Sequence, residues 1–220
     1  MFTSGTKVVP RIHTSLDIFK GVLFLVLEDF MKKPYLKMPI IDLGDYMFRT
    51  IKKSDAKDMF EYGKDPEVTK YLTWGPFSIL DEAKKSIKLI FLPRVKNQLP
   101  IGYAIVEKKT SKMIGTIDFH TRVKGVNGAE IGYVIHKDYW NKGIMTLALK
   151  KMIQVGFFHL NYDLIKIKHL ASNKASQKVI QKAGFKLICE EPYTYEKQKN
   201  VIKDQVLIYE LHKEDCHVSQ

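Results

Sequence analysis

The sequence predicts an α/β (α+β) fold, with a mixed but mostly antiparallel central sheet flanked by helices. Three strand-like segments in the middle of the chain are separated by short turns, which is typical of an antiparallel meander. The last of these strands is followed by a helix and a further strand, the arrangement of one parallel crossover. The 220 residues are 45% hydrophobic, which is enough to form one sizeable core.

A strand and three helices open the predicted domain. The segment YMFRTI, residues 46–51, has the β-branched and aromatic composition of a strand. Apolar residues at helical spacing predict one helix after Ser54 and another over residues 78–91. Between them, Pro66 stands at a position typical of the first turn of a helix.

The meander and a second group of helices and strands complete the predicted fold. IGYAIVEK (101–108) and MIGTIDFHTR (113–122) flank a turn-like segment and predict a β-hairpin, and another turn leads into a third strand at Ala129. The remaining predicted elements are a helix over 144 to about 159, a strand over 164–171, a helix over 173–183, and strands over about 186–191 and 204–212.

The N-terminal segment contains the most apolar run of the chain, IFKGVLFLVL, residues 18–27. This run is too short to span a bilayer, includes Lys20, and is followed by acidic residues rather than by a small-residue cleavage site. We therefore predict that residues 1–38 are an extension that packs on the domain or on a neighbouring chain, and that residues 39–220 form the domain. An alternative interpretation is that translation begins at Met31.

Charge and cysteine content restrict the classes of partner and site. A net charge of +12 and a pI of about 9.5 favour an anionic partner such as a phosphorylated cofactor, an acidic protein or RNA, although scattered lysines are also typical of a solvated basic surface. Cys189 and Cys216 lie outside any Cys/His ligand spacing, and the histidines have none, so we predict neither a metal site nor a disulfide. We expect a reducing, cytoplasmic location and no membrane segment.

A loop between a strand and a helix gives the strongest local signal. In AEIGYVIHKDYWNKGIMTLALKKM, residues 129–152, an amphipathic helix begins near Ile144. The first N–H groups of a helix have no partner within the helix, so its start favours anions. Gly143 permits a backbone conformation that other residues avoid, and Lys142 adds positive charge. From the spacing alone, a phosphate site and an ordinary helix start both remain open.

The strand before this loop has apolar side chains on both faces, as a central strand does. A regular strand places Glu130, Gly132, Val134 and His136 on one face. Gly132 leaves room there for a ligand or another backbone, or it marks a bulge or close helix packing. We expect His136, next to the loop, to face solvent.

Several segments taken together resemble the GNAT superfamily of acyl-CoA N-acyltransferases, and more closely its RimJ/RimL-like branch, over about residues 45–211. FRTIKKSDAKDMFEYGKDPEVTKYLTW (48–74) is similar to the first strand and helices of that branch, and AEIGYVIHKDYWNKGIMTLAL (129–149) to its cofactor strand and pyrophosphate loop. SNKASQKVIQKAGF (172–185) matches its N-x-x-S-x-x-x-x-x-K-x-G-F segment.

The loop departs from the usual superfamily pattern, Q/R-x-x-G-x-G/A, at several positions. Trp140 occupies the first position and Met145 the last. Asn141 and Leu147 stand where the branch more often has glycine and glutamate. Because backbone N–H groups survive these changes, the resemblance still implies that the cofactor is acetyl-CoA, on a GNAT-type sheet.

The resemblance also implies a set of cofactor-binding residues. The strand would bond the pantetheine arm through the backbone of Ile131, Gly132, Tyr133, Val134 and Ile135. The loop and helix start would meet the pyrophosphate through Lys142, Gly143, Ile144, Met145 and Thr146. Asn173 would contact the cofactor near the arm, and Ser176 would lie close to its sulfur.

Two residues are predicted to be catalytic, and each has a structural alternative. Glu130 lies where some GNAT enzymes place a glutamate base, and its alternative is a structural carboxylate paired with a lysine. Ser176 would donate to the departing thiolate, and its alternative is an ordinary serine on a helix surface. A backbone N–H near Tyr133 or Val134 would bind the oxyanion. Asn173 is also a good N-cap for the N–H of Ser176.

Three function hypotheses follow. The first is an N-acetyltransferase that transfers the acetyl group of acetyl-CoA to a primary amine, such as the N-terminal α-amine of a ribosomal or other protein. The alternatives are a small-molecule amine, of aminoglycoside or polyamine type, as acceptor, and a non-catalytic basic RNA- or ribosome-binding module. Because no basic stripe with interleaved aromatics is present, we expect no direct nucleic-acid binding. We expect a monomer or homodimer. The resemblance implies that the helical segment with Tyr71, Trp74 and Phe77 borders the acceptor groove, and a core or lid role for these side chains is the alternative.

Overall fold

A computed structural model describes residues 40–93, 102–197 and 200–216. The predicted extension, residues 1–38, and the alternative start at Met31 lie outside the described residues. The strands are β1 (Ile41–Leu43), β2 (Tyr46–Thr50), β3 (Gly102–Glu107), β4 (Met113–Arg122), β5 (Gly128–Ile135), β6 (Leu164–Leu170), β7 (Lys186–Lys197) and β8 (Asn200–His212). The α-helices are α1 (Ala56–Gly63), α2 (Pro66–Thr69), α3 (Leu80–Ser86), α4 (Ile144–Gln154) and α5 (Lys174–Lys182).

Shorter helical segments extend or precede these elements. Two π-helical segments, Ile87–Phe91 and Val155–His159, continue α3 and α4. The 3₁₀ segments are Lys53–Asp55, Lys137–Tyr139 and Lys213–Asp215.

The strands form one mixed sheet in the order β1-β2-β3-β4-β5-β6-β8-β7. All neighbouring strands are antiparallel except β5 and β6, which are parallel and are connected through α4. The predicted fold class, a mostly antiparallel sheet with one crossover in the middle, is therefore confirmed.

The sheet opens between its two central parallel strands. Among the described residues, β5 pairs with β6 only from Gly128 to Glu130, opposite Leu164–Lys166. Beyond that point β5 stays paired with β4, and β6 stays paired with β8. The two strands diverge, and a gap opens along the second half of β5.

Helices cover both faces of the sheet. On one face, α1 is joined to β4 by a hydrogen bond from the Met113 N–H to Asp58 Oδ2, 2.8 Å. On the other face lies the α4 extension, where a Cβ added to Gly156 would be 2.9 Å from Phe119 Cζ. The core on the α1–α3 face contains Ile51, Ala56, Met59, Tyr62, Val68, Ala83, Ile87, Ala104, Val106, Met113 and Val134.

Local contacts explain where α1 and α5 begin. Arg49 donates to both carboxylate oxygens of buried Asp55, at 2.7 and 2.8 Å, and Asp55 also accepts from the Lys52 N–H. This carboxylate fixes the turn that leads into α1. At α5, the Asn173 Oδ1 accepts from the Ser176 N–H at 3.1 Å, as predicted from the sequence.

Two strand predictions were incomplete. The short edge strand β1 was missed because three residues, IDL, carry no periodic signal. The β7–β8 hairpin is longer than predicted, because pairing continues from Pro192 opposite Gln205 to Lys197 opposite Asn200. No residue of this extension of β7 is fully buried, so hairpin hydrogen bonds hold it rather than contact with the core. In the described ranges, no helix is long and apolar enough to cross a membrane.

Candidate active site

The loop after β5 has the backbone shape of an anion site. Gly143, at φ +75°, directly precedes α4, whose first N–H groups, from Ile144 onward, lie beyond the reach of intrahelical carbonyls. Asn141 also has a positive φ, +60°. Asparagine tolerates this region better than most residues, which explains why it can replace a glycine here.

Side chains hold the loop against the end of β5. The Trp140 indole donates to the Ile135 carbonyl at 3.0 Å, and the Asp138 N–H donates to His136 Nδ1 at 3.1 Å. The prediction that His136 faces solvent is wrong. Its side chain is buried, 6% exposed, because it packs against Tyr139 and within 3.4 Å of Glu61 on α1.

The edge of β5 that faces the gap presents backbone hydrogen-bonding groups. The His136 N–H donates to the Ile114 carbonyl of β4 at 2.7 Å. Peptide groups of alternate residues point to opposite edges of a strand, so those of Tyr133 and Ile135 point towards the gap. Those of Gly132 and Val134 point towards β4.

The α5 side of the gap contains a pair of hydroxyl groups. Ser176 Oγ lies 2.8 Å from the Tyr133 hydroxyl, within hydrogen-bonding distance. Burial raises the pKa of the Tyr133 phenol, so this group keeps its proton at neutral pH and can donate to Ser176. The Ser176 hydroxyl is then oriented by Tyr133 and by the N-terminal turn of α5.

In addition to the gap, a groove of about 420 Å³ runs along β5. Its aromatic wall includes Tyr71, Trp74 and Phe77, and the rings of the last two stack at 5.1 Å. Thr73 and Trp74 are exposed at its rim, so the groove is open to solvent there. Ser176 and Tyr133 also line it, and therefore the groove and the gap meet at β5.

Glu130 lies behind this groove rather than at its surface. Its Oε1 is 3.0 Å from Lys168 Nζ and 3.5 Å from His120 Nε2. Both of those partners line the groove. The predicted lysine pairing of Glu130 is thus present, together with a histidine contact that the sequence did not suggest.

His120 and Asp118 are groove residues that sequence reasoning missed. Both lie on β4, and Asp118 is buried, 8% exposed. A Cβ added to Gly132 would lie 3.0 Å from His120 Cδ2, so the space predicted for a ligand or backbone at Gly132 is filled by the His120 ring. Neither residue belongs to a recognisable motif; the available signal was their alternation along a strand that neighbours the cofactor strand.

Within the described ranges, no group of three or more His, Cys, Asp or Glu side chains is arranged to hold a metal ion. The polar groups at β5 are instead backbone amides, hydroxyls, a carboxylate and an imidazole. Such a set suits proton transfer and the binding of an anionic, extended ligand.

Comparison with known proteins identifies the family. Residues 46–186 match the family model described as "Acetyltransferase (GNAT) domain". The chain belongs to the GNAT acetyltransferase family. It is 33% identical to "Uncharacterized N-acetyltransferase p20" of Bacillus licheniformis over 137 residues, which are 62% of this chain and 76% of that protein. The resemblance inferred from the sequence motifs is therefore confirmed, and the protein is an acetyl-CoA-dependent N-acetyltransferase.

Solved structures with the same fold are more distant in sequence. A ribosomal-protein-S5-alanine acetyltransferase from Vibrio fischeri has a TM-score of 0.66 and 23% identity, covering 81% of this chain and 98% of its own. RimL, a ribosomal L7/L12 α-N-protein acetyltransferase in complex with coenzyme A, has a TM-score of 0.69 and 18% identity, covering 79% of this chain and 98% of its own. These likenesses establish the shared GNAT fold.

Proposed function

We propose that this N-acetyltransferase acetylates the N-terminal α-amine of a protein. The observation that carries the proposal is the groove, which is open at Thr73 and Trp74 and ends at the β5 gap beside Ser176. A terminal residue of an extended chain fits such a groove while the rest of the chain leaves at the rim. The S5-alanine acetyltransferase and RimL, which share this fold and are named as acetyltransferases of ribosomal proteins, support a protein of the ribosome as acceptor.

The acceptor chemistry also favours an α-amine. Deprotonating an α-amine at pH 7 costs about 1 to 1.5 kcal/mol, whereas a lysine side chain costs about 4.5 kcal/mol. The groups along the groove include the imidazole of His120 and the carboxylate of Asp118, which are weak bases. Weak bases suffice for the first amine and are poorly matched to the second.

We assign acetyl-CoA binding to the backbone of β5, the loop and the start of α4. The pyrophosphate would be held by N–H groups over residues 142–146, with the charge of Lys142 nearby, and the pantetheine arm by the edge of β5 over residues 131–135. Asn173 would approach the arm from the start of α5 while it caps that helix. Acetyl-CoA supplies an activated acetyl group as a thioester.

The chain's own groups are assigned to proton handling and charge stabilisation. Ser176, oriented by Tyr133, would give a hydrogen bond or proton to the departing sulfur. The Tyr133 N–H, at the gap edge, would stabilise the oxyanion. Glu130 would support removal of the amine proton from behind the groove. We place the reaction in the cytoplasm, which agrees with the free thiols of Cys189 and Cys216.

An acceptor screen with a thiol-detecting assay tests the proposal. Purified protein is given acetyl-CoA and peptides that begin with alanine, serine or methionine. Their N-formylated versions are the matched controls, and spermidine and an aminoglycoside represent small amines. We expect the free α-amine peptides to exceed the other acceptors in kcat/KM by about tenfold or more, a difference of about 1.4 kcal/mol in transition-state binding. A small amine as the best acceptor would overturn the α-amine proposal.

A further inference from the structure

We propose that His120 is the residue that accepts the proton of the acceptor amine, and that Glu130 positions it. The inference rests on the proposed reaction with a primary amine, but not on which amine is used. Three observations carry it: the bulge that aims the side chain, the glycine that leaves room for it, and the contacts made by its two ring nitrogens.

A β-bulge places His120 at the groove. Phe119 pairs with Ile131 and Thr121 pairs with Glu130, so His120 is an extra residue on β4 with no partner of its own on β5. Such bulges redirect a side chain and interrupt regular pairing. Here the bulge turns an imidazole towards the groove, and 28% of the side chain is exposed.

Gly132 provides the space for this imidazole. A Cβ at Gly132 would lie 3.0 Å from His120 Cδ2 and 3.1 Å from its Nε2, closer than nearly all real contacts of that kind. The Nε2 edge of the ring therefore lies directly over β5. The gap beside the Ser176 and Tyr133 hydroxyl groups lies along the same stretch of that strand.

The two ring nitrogens have partners that suit the protonated ring. Nδ1 lies 2.9 Å from the Thr121 hydroxyl, which can accept its hydrogen. Nε2 lies 3.5 Å from Glu130 Oε1, so a proton gained at Nε2 faces a carboxylate. Lys168 Nζ, 3.0 Å from the same oxygen, pairs with the Glu130 carboxylate and holds it in place. The imidazolium would thus have a hydrogen-bond acceptor at Nδ1 and a carboxylate near Nε2.

The proton balance is complete with these groups. The Nε2 lone pair takes one proton from the acceptor amine, directly or through one water, while the amine nitrogen forms a bond to the acetyl carbonyl carbon. The C–S bond then breaks and the sulfur leaves with the electron pair. Ser176 gives the sulfur a proton and receives in return the second of the three protons of the ammonium form of the acceptor, so its hydroxyl is restored. The proton on His120 is lost to solvent through the open rim, which restores the neutral ring.

Glu130 itself is less well placed to contact the amine. It does not line the groove, and both residues that lie between it and the groove, His120 and Lys168, do. Asp118 lines the groove on the same strand as His120 and is the rival candidate for the base. The experiment must therefore separate these three residues.

The chain contains a matched control for the His–Glu–Lys arrangement. His212 Nε2 lies 3.4 Å from Glu210 Oε2, and Glu210 Oε1 lies 2.6 Å from Lys166 Nζ. These residues do not line the groove. His212→Gln therefore removes a histidine from the same kind of triad without touching the proposed site.

The test compares steady-state kinetics of His120→Gln, Glu130→Gln, Asp118→Asn and His212→Gln with the best acceptor found. Glu130→Gln should lower kcat/KM less than His120→Gln does, and should have less than about a twofold further effect in a protein that already carries His120→Gln, because Glu130 acts through that ring. We expect His120→Gln to lower kcat/KM at pH 7 by about 100-fold, the usual range for loss of a general base, with acetyl-CoA affinity within about twofold. His212→Gln should stay within about twofold of the parent protein, and thermal unfolding should confirm that all variants are folded.

The pH dependence distinguishes a base from a structural residue. The comparison uses a peptide α-amine as acceptor, which is mostly protonated at pH 7 and mostly neutral at pH 9, so the deficit of His120→Gln should shrink by about tenfold over that interval. The profile is compared between variants because several titratable groups share the groove or contact His120: Asp118, Glu130, Lys168, His169, Tyr62, Tyr71 and Tyr133.

Three results would overturn the inference. They are activity of His120→Gln above about one third of the parent value, a deficit that is equal at pH 7 and pH 9, and a larger loss in Asp118→Asn than in His120→Gln. Failure of the parent protein to release thiol with any amine acceptor would instead contradict the proposed function, while acetyl-CoA binding would still be measurable.

Discussion

The two halves of the active site are built in different ways. The cofactor half is one continuous stretch, residues 129–152, in which we propose that backbone N–H groups bind acetyl-CoA. The acceptor half is assembled from side chains on α1, α3, β4, β5, β6, α5 and the segment after α2. A backbone site tolerates side-chain changes that preserve its conformation, as Asn141 illustrates, whereas a side-chain site does not.

The largest effect is expected at Ser176, where the cofactor half and the acceptor half meet, and it should fall on catalysis rather than on acetyl-CoA binding. Ser176→Ala should lower kcat by about 100-fold while the dissociation constant of acetyl-CoA changes by less than about twofold, because the lost hydroxyl acts on the leaving sulfur. Steady-state kinetics and calorimetry measure the two quantities. Ser172→Ala is the control, since that hydroxyl bonds Asp204 instead. Equal losses in acetyl-CoA binding and in turnover would show that Ser176 acts in cofactor binding and not in catalysis.

A second substitution tests whether Gly132 on β5 is needed to leave room for the His120 side chain on β4. Gly132→Ala should lower kcat/KM by about tenfold, because its Cβ would displace the His120 ring. In a protein that already carries His120→Gln, the same change should have less than about a twofold effect. Kinetics of the two single variants and the double variant give the coupling. Additive losses would show that Gly132 acts independently of the imidazole.

A third substitution tests the backbone character of the cofactor half. Gly143→Val should weaken acetyl-CoA binding by about tenfold, since a β-branched residue at a positive φ costs about 1–3 kcal/mol. Gly143→Asn should bind nearly as tightly, because asparagine accepts this conformation and no atom lies within 4 Å of the new Cβ. Calorimetry measures both. Similar losses in the two variants would indicate that side-chain bulk matters and not φ.

The smallest expected effect is at Asn141. Because Asn141 already adopts φ +60°, Asn141→Gly should change the acetyl-CoA dissociation constant by less than about twofold. The same titration checks it. A loss of tenfold or more would assign a direct role to the Asn141 side chain and weaken the contrast between the two halves.

The contrast also explains what the sequence could predict. The strand, loop and helix of the cofactor half are adjacent in the chain, so their periodicity and the glycine at the helix start could be recognised from the sequence. The Asn173 cap could also be predicted, and the meander and crossover predicted a mostly antiparallel mixed sheet, although not its strand order. His120 depends on a bulge in β4 and on its register with Gly132, and neither is encoded by local spacing. For the same reason His136 was misjudged: its burial comes from Glu61 and Tyr139, which the fold brings to it.

The central claim is that the backbone around Gly143 binds the pyrophosphate of acetyl-CoA, and one calorimetric titration tests it most directly. Wild-type protein and Gly143→Pro are titrated with acetyl-CoA up to millimolar concentration, after thermal unfolding confirms that both are folded. We predict binding of one acetyl-CoA per chain by the wild type and no detectable binding by Gly143→Pro, because proline cannot adopt the positive φ of Gly143. Absence of binding by the wild type, or unchanged binding by Gly143→Pro, would contradict the claim.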